Sequence, residues 1–170
     1  VEELNYLTLS VKDTSEDDKN ETIFLDKLLI DCMSEFKLRA EKEKRDIYIK
    51  VIPENAKIVS NYNKMQRIIV NLIGNAFKYS PSGTKIEIVA EIKNQELSIS
   101  IIDEGCGIKE EDIDNIFKRL YRVEASRNMK TGGYGLGLAI AKQLALQING
   151  DILVESEYGK GSKFTLKINC

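Results

Sequence analysis

Apolar residues recur along this chain in two rhythms. From Leu25 the positions Leu28, Leu29, Cys32, Met33, Phe36 and Ala40 return at intervals of three and four, which keeps one face of a helix turned toward a core. That spacing predicts a first amphipathic helix ending in the solvated charge run EKEKRD. Ile47, Ile49 and Val51 then alternate, and AKIVS follows the turn PEN, so a small hairpin is predicted. A second long helix begins near Asn63, with Met65, Ile69, Leu72 and Ala76 as its core stripe. After the turn SPSG, KIEIVAEI and ELSISIID alternate around the polar corner KNQ and predict an antiparallel pair. KEEDIDNIF reads as a short acidic-started helix, LGLAIAKQLALQING as a helix closed by glycine, and DILVES with KFTLKI as a terminal hairpin. At the other end, Leu4, Leu7 and Val11 have helical spacing that runs into the polar stretch DTSEDDKNET, a helix end followed by a linker.

Helices and strands are mixed rather than strictly alternating, and the last strands pair as a hairpin. The fold class predicted is therefore α+β, a two-layer sandwich with a mixed, mostly antiparallel sheet, rather than a doubly wound one. The 170 residues suit one core, and 42% hydrophobic with 31% charged residues is an ordinary globular balance.

Charge and composition narrow the chemistry. A net charge of -2 gives no global field for nucleic acid or anionic lipid, so any polyanion must bind locally. Cys32, Cys106 and Cys170 are far apart and odd in number, which fits a reducing, cytosolic setting better than a disulfide framework. No apolar run approaches the roughly 20 residues of a membrane helix, and the start does not resemble a signal peptide, so a soluble fragment is expected. The chain has no histidine, which removes His-based acid and base catalysis and the commonest zinc sites.

Three stretches carry candidate chemistry. Asn71, Asn75 and Lys78 share a helix face away from the core stripe. A solvated face is the plainer reading, but asparagine is a poor helix former, an amide oxygen can ligate a hard cation, and an ammonium can neutralise phosphate. Asp103-Glu104-Gly105-Cys106-Gly107-Ile108 leaves an apolar strand. It reads as an ordinary turn, or as a carboxylate for an exocyclic amine beside glycines that let a flat ring approach. Thr131-Gly132-Gly133-Tyr134-Gly135-Leu136-Gly137-Leu138 runs into a helix, where backbone N-H groups can converge on phosphate. It is not GxGxxG, and GKGSK is not a P-loop. Between the two glycine segments, Arg119, Arg122, Arg127 and Lys130 sit on a stretch long enough to be a mobile lid.

In this order NLIGNAFKYSP, DEGCGI, IFKRLYRVEASR, GGYGLGLAIAKQL and GKGSKF resemble the set of boxes that marks the catalytic domains of two-component sensor histidine kinases. The resemblance covers about residues 22 to 168. It implies a Bergerat-type α/β sandwich with a mobile ATP lid, divided into residues 1–21, the end of a dimerisation helix and linker, and 22–170, the ATP-binding catalytic domain. By resemblance, Asn75 would ligate Mg2+, with Asn71 beside the metal and phosphates, and Lys78 would contact phosphate. Tyr79 would pack on adenine and Asp103 would bind its amine, with Gly105, Gly107 and Ile108 lining the base pocket. Gly133, Tyr134, Gly135, Leu136, Gly137 and Leu138 would hold the phosphates, and Arg122 and Arg127 would brace the γ-phosphate. Ser162 would contact adenine through water. Leu120 departs from the pattern, which has an aromatic there.

The related ATPases carry a glutamate at position 71 to activate water. Asn71 cannot take a proton, so slow hydrolysis and transfer of the γ-phosphoryl group to a histidine on a separate dimerisation domain are implied. The activity implied is that of a protein histidine kinase that binds Mg-ATP, without autophosphorylation in this chain. Its partners would be the dimerisation and phosphoacceptor domain of the same protein and a response regulator, with no nucleic acid. The fragment would be monomeric and cytoplasmic, and the full protein anchored in the membrane. The alternatives are a serine protein kinase of the anti-sigma-factor type, disfavoured by the dimerisation-helix remnant, and a non-catalytic ATP-binding module, disfavoured by the presence of Asn75, Asp103 and the glycines.

Overall fold

The computed structural model describes residues 19–121 and 135–169. The helix end read in residues 1–12, and the predicted site residues Arg122, Arg127, Gly133 and Tyr134 with Lys130, lie outside them. The described elements are β1 (Glu21–Phe24), α1 (Leu25–Ser34), α2 (Lys37–Lys42), β2 (Asp46–Ile52), β3 (Lys57–Ser60), α3 (Tyr62–Tyr79), β4 (Lys85–Lys93), β5 (Glu96–Asp103), α4 (Glu110–Ile113), α5 (Gly137–Gln147), β6 (Gly150–Glu157) and β7 (Gly161–Asn169).

Five strands form one sheet in the order β2-β4-β5-β7-β6. The β2-β4 pair is parallel and the other pairs are antiparallel, so the sheet is mixed and mostly antiparallel as predicted. Ile86, Ile88 and Ala90, Leu97, Ile99 and Ile101, and Phe164, Leu166 and Ile168 alternate onto one buried face. Helices α1, α3 and α5 close that face: α3 packs against both α1 and α5 and against β5. The opposite face carries Ser98, Ser100 and Thr165 at its centre, with glutamate and lysine around them, the polar-out half of a two-layer sandwich. The core stripe read for α3 is fully buried, and Ile68, Ile73 and Phe77 widen it.

The structure corrects several expectations. The first helix is two, α1 and α2, interrupted at Glu35 and Phe36, and the break lets the Phe36 ring stack on Phe77 at 5.0 Å. The hairpin of β2 with β3 does not form. β3 pairs instead with β1 in a two-stranded antiparallel sheet, a strand that starts at the end of the stretch read as linker, and β2 lies parallel to β4, where Ile47 and Val51 register with Ile86 and Ala90. Alternation marks a strand but does not name its neighbour. The charge run EKEKRD is not wholly solvated, since Arg45 is buried. Helix α5 ends before glycine, with Asn149 taking the left-handed conformation at φ 56°, which asparagine tolerates.

Candidate functional site

The site is built around α3. Asn61 caps it, its side chain accepting from the Lys64 N-H at 2.9 Å, which satisfies one of the first-turn donors. With one face of the helix committed to the core, Asn71, Asn75, Lys78 and Tyr79 are left half-buried. The Asn71 side chain donates to the Arg67 carbonyl at 2.9 Å, and its Oδ1 faces α5, so close that a Cβ on Gly137 would come within 2.9 Å of it. The structure thus brings Asn71 against the end of the glycine-rich stretch. The Asn75 Nδ2 is buried and finds no hydrogen-bond partner among the described residues. Lys78 lies with its Nζ 5.2 Å from the centre of the Tyr79 ring.

Beyond the last turn of α3, the chain after β5 is held by backbone contacts. Asp103, the last residue of β5, is 7% exposed on the core face of the sheet. Its Oδ1 accepts the Gly105 N-H at 2.8 Å. Burial pushes this carboxyl up to about 6, against the opposing pull of the Gly105 and Ser162 backbone N-H groups and the Arg45 charge, so at neutral pH it is ionised and can accept a further hydrogen bond. The Cys106 N-H reaches the Tyr79 carbonyl at 3.3 Å, and the Cys106 carbonyl receives the Gly159 N-H at 2.7 Å. Gly107 adopts φ 66°, and a Cβ there would lie 2.1 Å from the Glu157 carbonyl. Ile108 donates its N-H to Ser156 Oγ at 2.8 Å, and Ser156 Oγ also meets Ser162 Oγ at 2.9 Å and the Gly161 carbonyl. Tyr79, Asp103, Gly105, Gly107, Ile108 and Ser162 therefore belong to one connected wall.

On the other side of Asn71, Gly135 adopts φ 72°, Leu136 is buried, and α5 starts at Gly137 with no side-chain cap from its N-cap residue Leu136. Its leading N-H groups are thereby open to an anion. Leu138 is half-buried and packs against the core. The Leu120 N-H bonds the Gly135 carbonyl at 3.1 Å, joining the chain on either side of residues 122–134. Arg119 is bonded to Gln143 at 3.0 Å.

Sequence reasoning missed Ser156 and Arg45. A serine alternating along a terminal strand and an arginine inside a charge run are both unremarkable in one dimension. The signal available for Ser156 was its place beside the turn EYGKG, which folds back on DEGCGI.

The arrangement combines a carboxylate beside close-approach glycines, an amide pair on a helix, and an uncapped helix start. Among the described residues no three His, Cys, Asp or Glu groups converge to hold a metal. A hard cation here would therefore draw its ligands chiefly from waters and a bound phosphate, the usual manner for magnesium. The unpartnered Asn75 amide fits that role: turned over, it presents an oxygen at the orphaned position.

A family model described as histidine kinase-, DNA gyrase B-, and HSP90-like ATPase matches residues 60–170. Histidine protein kinase SaeS of Staphylococcus epidermidis is 41% identical over 150 residues, 87% of this chain and 43% of that protein. The chain thus spans under half the length of the curated relatives it matches. Among solved structures, the catalytic domain of histidine kinase ThkA superposes with a TM-score of 0.78 at 23% identity, covering 89% of this chain and 95% of that one. ThkA in complex with the response regulator protein TrrA matches at 0.78 and 19% identity, over 98% of this chain and 47% of that one. The fold is that of histidine kinase catalytic domains.

Proposed function

Because the chain belongs to the family of histidine kinase-, DNA gyrase B- and HSP90-like ATPases, we propose that it is the ATP-holding module of a protein histidine kinase. In this reading it binds Mg-ATP and presents the γ-phosphoryl group to a histidine on the dimerisation and phosphoacceptor domain of the same protein, from which a response regulator takes it. The observation that carries the reading is that α3 joins the two glycine segments: Gly105 lies against Asp103 and the Tyr79 carbonyl at its end, and Gly137 at the start of α5 lies against Asn71.

Asp103 accepts a hydrogen bond from the exocyclic amine of adenine, at the position where guanine carries a carbonyl, while Gly105 and Gly107 let the base lie against the backbone and Tyr79 and Ile108 flank it. Ser162 supports the base through water. Asn71, Lys78 and the N-H groups of Gly135, Leu136, Gly137 and Leu138 orient the phosphates, joined by Gly133, Tyr134, Arg122 and Arg127. Asn75 holds Mg2+, which when bound neutralises charge on the phosphate oxygens. Asn71 stands where a water-activating acid would be needed, and its donor is tied to the Arg67 carbonyl. The site therefore positions ATP without a general base for hydrolysis, and phosphoryl transfer asks chiefly for such positioning. The chain has no histidine, so the acceptor lies on another segment.

No helix among the described residues is long and apolar enough to cross a membrane. A cytoplasmic module of a membrane-anchored kinase, monomeric on its own, completes the proposal.

The test is to incubate the chain with Mg2+ and γ-labelled ATP, alone and with the dimerisation segment of the longer protein. Binding with slow hydrolysis alone, and label on a histidine of the added segment, is the expected result. Bound but untransferred ATP would reduce the reading to a binding module, and absence of ATP binding would remove it.

A further inference from the structure

The polar run EKEKRD sends one of its charges inward. The Arg45 side chain is 2% exposed, and its guanidinium donates to the carbonyls of Phe77 at 3.0 Å and Ser80 at 2.7 Å, to Thr84 Oγ1 at 3.3 Å, and to the Glu43 carboxylate. It also lies 5.0 Å from the centre of the Phe77 ring. Arg39 donates to the same Phe77 carbonyl at 3.0 Å and pairs with the same Glu43. Glu43 opposes its own burial cost through hydrogen bonds from both arginines, which hold its carboxyl below the ordinary range. The backbone joins in, with Arg45 N-H on the Ala40 carbonyl and Gly83 N-H on the Glu43 carbonyl.

The carbonyls that Arg45 grips belong to the end of α3, where intrahelical partners run out and positive charge is favoured. Phe77 and Ser80 bracket Lys78 and Tyr79, and the Tyr79 carbonyl is the acceptor for the Cys106 N-H. A buried guanidinium is costly unless its donors are met. Here they are met by four different residues, three of them at or beyond the last turn of α3. Lysine could not replace it, because a single ammonium lacks the planar fork that spans two carbonyls and a carboxylate.

We propose that Arg45 is a positioning residue for nucleotide binding: by gripping the Phe77 and Ser80 carbonyls it sets the last turn of α3, and with it Lys78, Tyr79 and the junction with the Asp103–Gly107 loop. This rests on the ATP reading given above. The Arg45 charge also acts on Asp103, favouring its carboxylate, and the Asp103 charge adds to burial in raising the Cys106 thiol.

The experiment titrates the wild-type chain, R45M and R45K with Mg-ATP from roughly pH 5.5 to 8, with circular dichroism to check folding. R45M is expected to weaken ATP about tenfold at neutral pH, as misplacement of binding groups does, and to move the acid loss of binding to higher pH. R45K should keep the wild-type acid limb while losing part of the affinity. A folded R45M whose affinity at neutral pH stays within about twofold of wild type overturns the proposal, whatever its acid limb, and a larger loss supports it. Should R45M fail to fold, R45K decides: affinity weakened about threefold or more supports the role, and unchanged affinity overturns it. If the wild type itself does not bind ATP, the functional reading fails instead. The grip is then judged by amide exchange at residues 76–80, faster in R45K if it holds and equal to wild type if it does not.

Discussion

At the Asp103 end of the cleft the backbone is tied down from both sides, whereas at the Gly137 end polar groups stand open. Around Asp103, the N-H groups of Gly105, Cys106 and Ile108 are each taken, and the Cys106 carbonyl is taken by Gly159. Around Gly137, the Asn75 amide is buried without a partner among the described residues, and the N-cap residue of α5, Leu136, makes no side-chain cap. The first end is finished before ligand arrives and selects by shape. The second keeps unsatisfied dipoles, which raises its own free energy and rewards an anion and a cation when they enter. Stability and binding should therefore respond together to glycine substitutions at the first end and oppositely to loss of the amide at the second.

The largest effect is expected from G161A. A Cβ there would sit 2.0 Å from the Asp103 carbonyl, on a backbone at φ 127°, so the variant should lose about 2–4 kcal/mol in denaturant unfolding and its ATP binding too. A loss below about 1 kcal/mol would mean that this end is not rigid. Next comes N75L, which should cost about a hundredfold in Mg-ATP affinity while leaving the unfolding midpoint unchanged or raised, because an orphaned buried donor is removed. If its stability fell with its affinity, the contrast between the two ends would collapse.

Acidity, unlike substitution, sets stability against binding at Asp103. Its carboxyl is raised from 3.8 to about 6 in the fold, so between those values the folded state holds a proton that the unfolded state has released. This group's contribution to stability therefore grows as pH falls through that window and is lost as pH rises through it. In the proposed reading adenine binding uses the carboxylate and should move the other way, weakening toward about tenfold per pH unit below the folded value. D103N should flatten that limb, and titration of ATP against a purine analogue lacking the amine reads it directly. The smallest effect is expected from S156A, which frees the Ile108 N-H and should cost about 1 kcal/mol, or about fivefold in ATP affinity, by isothermal titration.

The fold was legible where period and partner coincide. The β4-β5 and β6-β7 pairs are sequence neighbours joined by short turns, so alternation was enough. It failed for β2, whose partner lies beyond α3, and for β1, whose four residues follow a charged stretch. On α3 the second stripe of Asn71, Asn75 and Lys78 was visible because two asparagines one turn apart are poor choices for a helix. Arg45 was invisible, since nothing in a run of charges says which one turns inward. That depends on where the end of α3 arrives, a fact of packing rather than of period.

The parallel pairing of β2 with β4 has a consequence for how the molecule opens. Parallel neighbours need a crossover, and here the crossover carries β3 and then the site helix α3, between an edge strand and the strand beside it. Such long-range closures form late, and edge strands are among the first elements to open. Asp46, the first residue of β2, directly follows Arg45, so peeling β2 from the sheet tugs on the grip at the end of α3. Breathing at the sheet edge and tenancy of the cleft are thereby coupled equilibria, and a ligand that steadies α3 should also slow the exchange of amides in a strand it never touches.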